Sequence, residues 1–256
     1  MTALMKSAKR KMGGDKDSTS QDGGQYPSVY EVGSTLELTP IERDPDLVGY
    51  WKLDEGSGNI TDSSGNGNSG TPFGSLTYGE SGKMGSAIRF TTSSDYFSIP
   101  YSINSFAMES GQDKTWLFWA KRNAIIGSAS ELALSDGALG IYFRDNGAYG
   151  GLMVVTTGAI QYTKTRVSGV LSTINDLQWH HYAMVWNRNG NLEIFMNGSP
   201  VSITTVKDLS DGYSEDWSSA GTERTIGRIQ GNLDEIRVYN RTLSASEIQA
   251  IYNATR

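Results

Sequence analysis

The chain of 256 residues has no cysteine, which excludes disulfides, thiolate metal ligands and a cysteine nucleophile. Histidine is nearly absent: the only two are the neighbours His180 and His181. A multi-histidine metal centre or a histidine-based triad is therefore not expected. Proline is scarce, with 6 residues. No apolar run approaches the roughly 18 residues that cross a bilayer. No secretory leader is visible, because the basic start is not followed by an apolar stretch. Positive charge is in deficit: 22 Lys and Arg against 28 Asp and Glu leave a net −6. That balance argues against nucleic acid as the main partner.

Glycine, by contrast, is abundant. The 30 glycines make up about 12% of the chain against an average of about 7%, and so imply many turns. Hydrophobic residues at 37% and aromatics at 10% are enough to fill a core, which excludes wholesale disorder.

Charge is unevenly placed. Residues 1–16 hold Lys6, Lys9, Arg10, Lys11 and Lys16 against Asp15, a local +4, while residues 46–256 carry −5. Leu4, Ala8 and Met12 lie on one helical stripe, predicting a short N-terminal helix over 1–12 stopped by Gly13 and Gly14. A polar, turn-rich stretch follows, then a strand-like piece over 29–38. Pro40 and Pro45 mark a linker, so the chain divides into residues 1–45 and a single domain over 46–256.

Within that domain, short alternating or apolar segments recur at 48–53, 87–90, 96–100, 116–121, 132–134, 140–143, 152–156, 159–163, 180–187, 192–196, 224–229 and 233–239. Turn signals such as Asp145-Asn146-Gly147, Asn189-Gly190 and Asn197-Gly198 separate them. Many short strands without intervening helices predict an antiparallel sandwich or barrel. Ser244 followed by Glu247 forms a capping box, and Ile248, Ile251 and Tyr252 give an apolar stripe, so a short C-terminal helix docks on the sheets.

Five ordered motifs carry a resemblance. They are Gly49-Tyr50-Trp51-Lys52-Leu53-Asp54-Glu55-Gly56 leading to Asp62-Ser63-Ser64-Gly65-Asn66-Gly67-Asn68, then Gly85-Ser86-Ala87-Ile88-Arg89-Phe90. Gln178-Trp179-His180-His181-Tyr182 and Leu192-Glu193-Ile194-Phe195-Met196-Asn197-Gly198 follow. The last is Asn232-Leu233-Asp234-Glu235-Ile236-Arg237-Val238-Tyr239-Asn240-Arg241-Thr242-Leu243-Ser244. In this order they resemble the concanavalin A-like, laminin-G-like jelly roll of bacterial surface proteins, over roughly residues 46–256. The resemblance implies an all-β, two-sheet antiparallel jelly-roll sandwich, here with short N- and C-terminal helices. The fold hosts lectins, glycosidases and adhesive modules alike, so it does not name a function. Residues 1–45, with Asp22-Gly23-Gly24-Gln25-Tyr26-Pro27 and Tyr30-Glu31-Val32-Gly33, are similar to type IV pilin-like proteins just after their long N-terminal helix. The apolar half of that helix is not in this sequence.

Four residues are candidate metal ligands. Asp234 shares strand parity with the apolar Ile236 and Val238, so its carboxylate is expected to point into the core, where it needs donors or a cation. Glu235 and Arg237 are expected to point outward and pair weakly. Asp62, Asn66 and Asn68 offer further oxygens from a glycine-rich loop, a donor set that suits Ca²⁺. The alternative is that Asp234 accepts backbone N–H bonds and the loop is a series of Asx-turns.

The aromatics Trp116, Trp119, Trp179, Trp186 and Trp217, with Tyr142, Tyr149, Tyr162 and Tyr213, either stack sugars or pack the sheets. Trp116 and Trp119 have opposite parity and face opposite sides. The loop residues Tyr149, Tyr213 and Trp217 are the candidate ligand-binding set. His180 and His181 also face opposite ways and are expected to pack and hydrogen-bond. The enzymes of the resembling family carry Glu-x-Asp-x-x-Glu or a close variant on one strand, and no such run occurs. Asp54-Glu55 and Asp234-Glu235 each split across two faces. No enzyme activity is expected.

The expected function is a non-catalytic adhesion module at the bacterial cell surface. It would recognise a polysaccharide or surface glycoprotein and be displayed on a pilus-like assembly beside other pilin-like subunits. The alternatives are a structural subunit of such a filament without glycan affinity, and a glycoside hydrolase of the same fold.

Overall fold

In the computed structural model the described residues are 6–7, 37–38, 44–100, 113–123, 130–135, 139–144, 151–157, 162–167, 176–187, 192–206 and 224–256. The strands in chain order are β1 (Lys6–Ser7), β2 (Glu37–Leu38), β3 (Leu47–Trp51), β4 (Thr71–Phe73), β5 (Thr77–Ser81), β6 (Ser86–Phe90) and β7 (Tyr96–Ile99). Next come β8 (Lys114–Arg122), β9 (Ser130–Ser135), β10 (Leu139–Arg144), β11 (Gly151–Thr157), β12 (Tyr162–Val167) and β13 (His180–Trp186). The set closes with β14 (Leu192–Met196), β15 (Ser199–Val201), β16 (Ile203–Val206), β17 (Arg224–Gly227), β18 (Gly231–Tyr239) and the helix α1 (Ala245–Thr255).

Besides the two-stranded β1–β2 pair, two large antiparallel sheets form. One runs β16-β12-β11-β10-β9-β17-β7-β4; the other runs β15-β14-β13-β8-β18-β6-β5, with β3 also paired to β18. Inner faces of both sheets meet in one core. The first contributes Phe97, Ile99, Phe143 and Ile226; the second contributes Trp51, Trp116, Phe118, Tyr182, Met184, Leu233, Ile236 and Val238. This is the two-layer solution for sheets with one apolar face. The second sheet also buries its outer face: Tyr50, Leu117, Ala183, Val185, Phe195 and Tyr239 pack against Leu243, Ile248 and Ile251. The capping box of α1 is present, with Glu247 N–H donating to Ser244 Oγ and Ser244 N–H donating to Glu247 Oε2. Arg241 fastens this end to the start of the domain, pairing with Asp44 at 2.7 Å and Glu247 at 2.8 Å.

Local pattern and tertiary pairing part company in three places. Lys6–Ser7 pairs with Glu37–Leu38, so two residues of the expected N-terminal helix lie in a strand. A helix of about 12 residues is marginal without packing, and a pairing partner outcompetes it. The remainder of 1–12 lies outside the described residues.

The second difference concerns Asp234. The β18–β8 register pairs Asp234 with Trp119 but Arg237 with Leu117, which is a β-bulge, and Glu235 sits at φ 53° inside it. The extra residue switches which parity faces inward. Leu233 belongs to the core before the bulge, Ile236 and Val238 after it. Asp234 therefore lies on the outer face with Trp119, not in the inter-sheet core.

Third, Glu235 and Arg237 do pair, but not in solvent: each side chain is only 5% exposed, and the bridge is 2.7 Å. Tyr50 Oη also donates to Glu235 Oε2 at 2.7 Å, and Arg237 lies 3.9 Å over the Tyr50 ring. Trp116 and Trp119 do face opposite sides: Trp116 joins the inter-sheet core, and Trp119 Nε1 donates to Thr255 of α1 at 2.8 Å.

Candidate functional site

One exposed aromatic arrangement stands on the outer face of the first sheet, at its β4 edge. In β7 the burial alternates, Phe97 and Ile99 inward, Tyr96 and Ser98 outward. Phe73 of the edge strand β4 lies directly across from Tyr96. The two rings stack with centroids 4.9 Å apart and planes 13° from parallel. Phe73 is 41% exposed, unusual for a phenyl ring in a strand. Pro72 beside it suits an edge, because it has no N–H to offer a further strand.

Arg228, just past β17, completes the group. Its guanidinium carbon is 4.0 Å from the Tyr96 ring centroid, a cation–π contact. Its backbone is left-handed, φ 61°, which is rare for a residue with a long side chain. What holds it there is Asp95: Arg228 N–H donates to Asp95 O at 2.7 Å. The Asp95 side chain is in turn tightly held. Its Oδ1 accepts from Ser75 N at 2.8 Å, and its Oδ2 accepts from Thr91 N, Thr91 Oγ1 and Thr92 N at 2.9, 2.7 and 2.9 Å. Burial alone would raise its pKa, but these donors lower it to about 2. Gly74, at φ +81°, follows Phe73 where any Cβ would strike Asp95 Oδ1. The stack is thus carried on a rigid base.

The candidate ligand residues Tyr149, Tyr213 and Trp217 lie outside the described residues. Of the candidate metal ligands, the structure brings Asp62, Asn66 and Asn68 together. Asp62 Oδ1 accepts from Tyr50 N and Ser64 N, and Oδ2 from Asn68 N, at 2.8–3.0 Å. Asn66 Nδ2 donates to Leu47 O and Asn68 Nδ2 to Val48 O. N–H groups aimed at the carboxylate and amide NH₂ groups turned inward do not fit a cation, which needs oxygens converging on one point. Asp234 is held by another loop, its Oδ2 accepting from Lys83 N at 2.6 Å and Met84 N at 3.0 Å. Among the described residues, no three His, Asp or Glu side chains converge as a metal cage.

Asp234 is fully buried, and its Oδ1 finds no hydrogen-bond partner among the described residues. Desolvation chiefly, with the nearby charges of Glu235 and Asp54, pushes its pKa up to about 8 despite the two N–H donors. His181 is also buried, against Trp119 and Tyr252. Burial and the Arg237 charge push it down to about 3, so it is neutral. His180 is fixed at both ring nitrogens, Nδ1 by the Asn197 amide and Nε2 by Asp176, each at 3.0 Å.

Sequence reasoning missed Phe73, Tyr96 and Arg228. The alternation over 96–99 already turns Tyr96 outward, but Phe73 reads as a loop residue beside Pro72, and nothing local marks the φ of Arg228.

Comparison with known proteins places this geometry in context. A family model described as the concanavalin A-like lectin/glucanases superfamily matches residues 91–249. No curated protein matches the chain. Among solved structures, one similar fold is that of botulinum neurotoxin type C, whose uptake into cells depends on two ganglioside molecules. It is 12% identical, TM-score 0.62, over 82% of this chain and 51% of that one. Another is the binding domain of Paraclostridial Mosquitocidal Protein 1, 18% identical, TM-score 0.58, over 82% and 52%. A third is domain 4 of AbnA, a GH43 extracellular arabinanase from Geobacillus stearothermophilus, in complex with arabinotriose. It is 18% identical, TM-score 0.56, over 82% and 98%. This chain spans about half the length of the toxin structures it matches. Identities this low establish a shared fold.

Proposed function

The chain belongs to the concanavalin A-like lectin/glucanases superfamily, which matches it over residues 91–249, and from that premise we propose that it is a non-catalytic carbohydrate-binding module. The observation that carries the reading is the solvent-facing Phe73–Tyr96 stack. A flat aromatic face suits the C–H face of a pyranose ring, and stacking on Tyr96 holds the exposed Phe73 ring in place to offer one without reorganisation.

The buried carboxylates support binding over hydrolysis. Glycoside hydrolysis needs two carboxyl groups facing one sugar. Asp95 accepts four bonds from its own loop, and Glu235 is tied to Arg237 and Tyr50. Asp234 has a raised pKa fit for a general acid, yet it has no exposed surface and lies on the face turned away from the inter-sheet core. A substrate has no route to it.

In biological terms the reading is adhesion at a bacterial surface to a polysaccharide or surface glycoprotein. Many displayed copies would raise a weak single-site affinity by avidity. The test is a glycan array probed with the whole chain, with and without Ca²⁺. Binding to a defined saccharide class supports the reading; no binding to any glycan overturns it.

A further inference from the structure

We propose that the Phe73–Tyr96–Arg228 cluster is a site for an acidic oligosaccharide: the exposed Phe73 ring takes the apolar face of one sugar, and Arg228, on the far side of the Tyr96 ring, takes a carboxylate of the same chain. This rests on the carbohydrate-binding reading above and narrows it to one surface and one ligand class.

The chemistry of Arg228 points to an anion. A guanidinium has five N–H donors and no acceptor, in a planar fork that matches a carboxylate. Among the described residues one hydrogen bond uses them, Nη1 to Ser93 O at 3.2 Å, in an exposed setting. Among the described residues no carboxylate pairs with the guanidinium, in contrast to Arg237 and Arg241, which are tied to Glu235, Asp44 and Glu247. Asp95, whose main-chain carbonyl accepts the Arg228 N–H, spends both side-chain oxygens on Ser75, Thr91 and Thr92 rather than on the guanidinium.

The backbone argues for more than a chance contact. A left-handed φ at a residue with a full side chain is a strained arrangement that the surroundings must enforce. Here they do so through the bond from Arg228 N–H to Asp95 O. The same residue, Asp95, also holds the Ser75 N–H just after Gly74, next to Phe73. One residue, Asp95, therefore touches both halves of the cluster, its carboxylate on the β4 side and its main-chain carbonyl on the Arg228 side. Sugar rings present a C–H face and, in uronic or sialic acids, a carboxylate at the rim. Phe73 covers one side of the Tyr96 ring and Arg228 lies 4.0 Å over it from the β17 side, so the exposed Phe73 face and the cation stand at the two ends of one row, spaced for an oligosaccharide that carries a carboxylate.

The test uses the whole chain on an array of oligosaccharides containing sialic, glucuronic or galacturonic acid, printed beside their carboxyl-reduced forms. Titration then follows with the best-bound glycan. The expected result is binding to acidic glycans that weakens on carboxyl reduction and with rising salt. Arg228→Asn keeps a residue tolerant of left-handed φ and removes the cation. It is expected to weaken binding about 10- to 100-fold. Phe73→Ala, at an exposed edge position, is expected to weaken it about 2- to 10-fold. Thermal melts on both variants establish that they are folded; should Arg228→Asn not fold, Phe73→Ala and the carboxyl-reduced glycans decide alone. Equal affinity for acidic and reduced glycans, or binding unaffected by the variants, overturns this inference while leaving the carbohydrate reading in place. No binding to any glycan overturns both.

Discussion

Arg237 donates to Glu235 Oε2 at 2.7 Å with both side chains 5% exposed, only two residues apart on one strand. Residues two apart on a strand stand only about 7 Å apart, within the joint reach of these long side chains. Glu235 itself lies in the bulge of β18. Because the pair is shielded from water, removing one charge leaves the other stranded. Glu235→Gln or Arg237→Met alone is expected to cost about 3–5 kcal/mol, whereas joint replacement by well-packed apolar residues should cost far less. Urea denaturation of the three variants measures this; additive losses would show that the two charges do not depend on each other.

Asp234 makes stability fall as pH rises. Its carboxyl holds a proton to about pH 8 in the folded chain but only to about 3.8 when unfolded. Between those values the folded state binds more protons, so each rising pH unit costs up to about 1.4 kcal/mol of stability. Below pH 3.8 both states are protonated and the effect is absent. Asp234→Asn places an amide where Oδ1 has no partner while its oxygen can still accept from Lys83 and Met84. It is expected to flatten the profile from pH 4 to 8; an unchanged slope in denaturation curves would refute the assignment.

Asp95 gives the opposite limb. Its pKa is lowered to about 2, so its contribution is complete above pH 3.8 and is lost as pH falls through about 2. Asp95→Ala leaves Ser75 N, Thr91 N and Thr92 N without their acceptor, and is expected to cost at least about 2 kcal/mol at neutral pH. The variant should also weaken glycan binding, since this side chain holds the Ser75 N–H two residues after Phe73. Melting curves together with glycan titration check the two effects.

EDTA is expected to leave the melting temperature unchanged, since the Asp62 carboxylate is already occupied by three N–H donors. A bound ion would stabilise the folded state by mass action. A fall in melting temperature on chelation, reversed by Ca²⁺, would show that the 62–68 loop takes another arrangement.

Legibility in the sequence followed the range of the interaction. The capping box at Ser244 and Glu247 was readable because four consecutive residues contain it. β14 was readable to its bounds because it is an uninterrupted Leu-Glu-Ile-Phe-Met run beside an Asn-Gly turn. β4 and β5 were not, since Pro72 and Gly79 weaken their local signal and cross-strand pairing to β7 and β6 makes them. The orientation of Asp234 failed for a related reason. Period-two reasoning assumes that no residue is inserted, and a bulge at a glutamate, with no glycine to announce it, leaves no local trace. The Phe73–Tyr96–Arg228 cluster draws its members from three strands or their ends, and only the folded register brings them together.

The position of β18 has a consequence for how the molecule is made. This strand lies inside its sheet, with β8 on one side and β6 and β3 on the other, yet at Gly231–Tyr239 it follows all three of them in sequence. During synthesis the three strands that flank it wait for their shared neighbour until Tyr239 has emerged. Contacts of such long sequence separation slow folding, and unpaired strand edges invite the wrong partner. The nascent domain thus stays open until β18 has been made, and a chain cut short before Gly231 is expected to aggregate rather than to persist as a smaller folded unit.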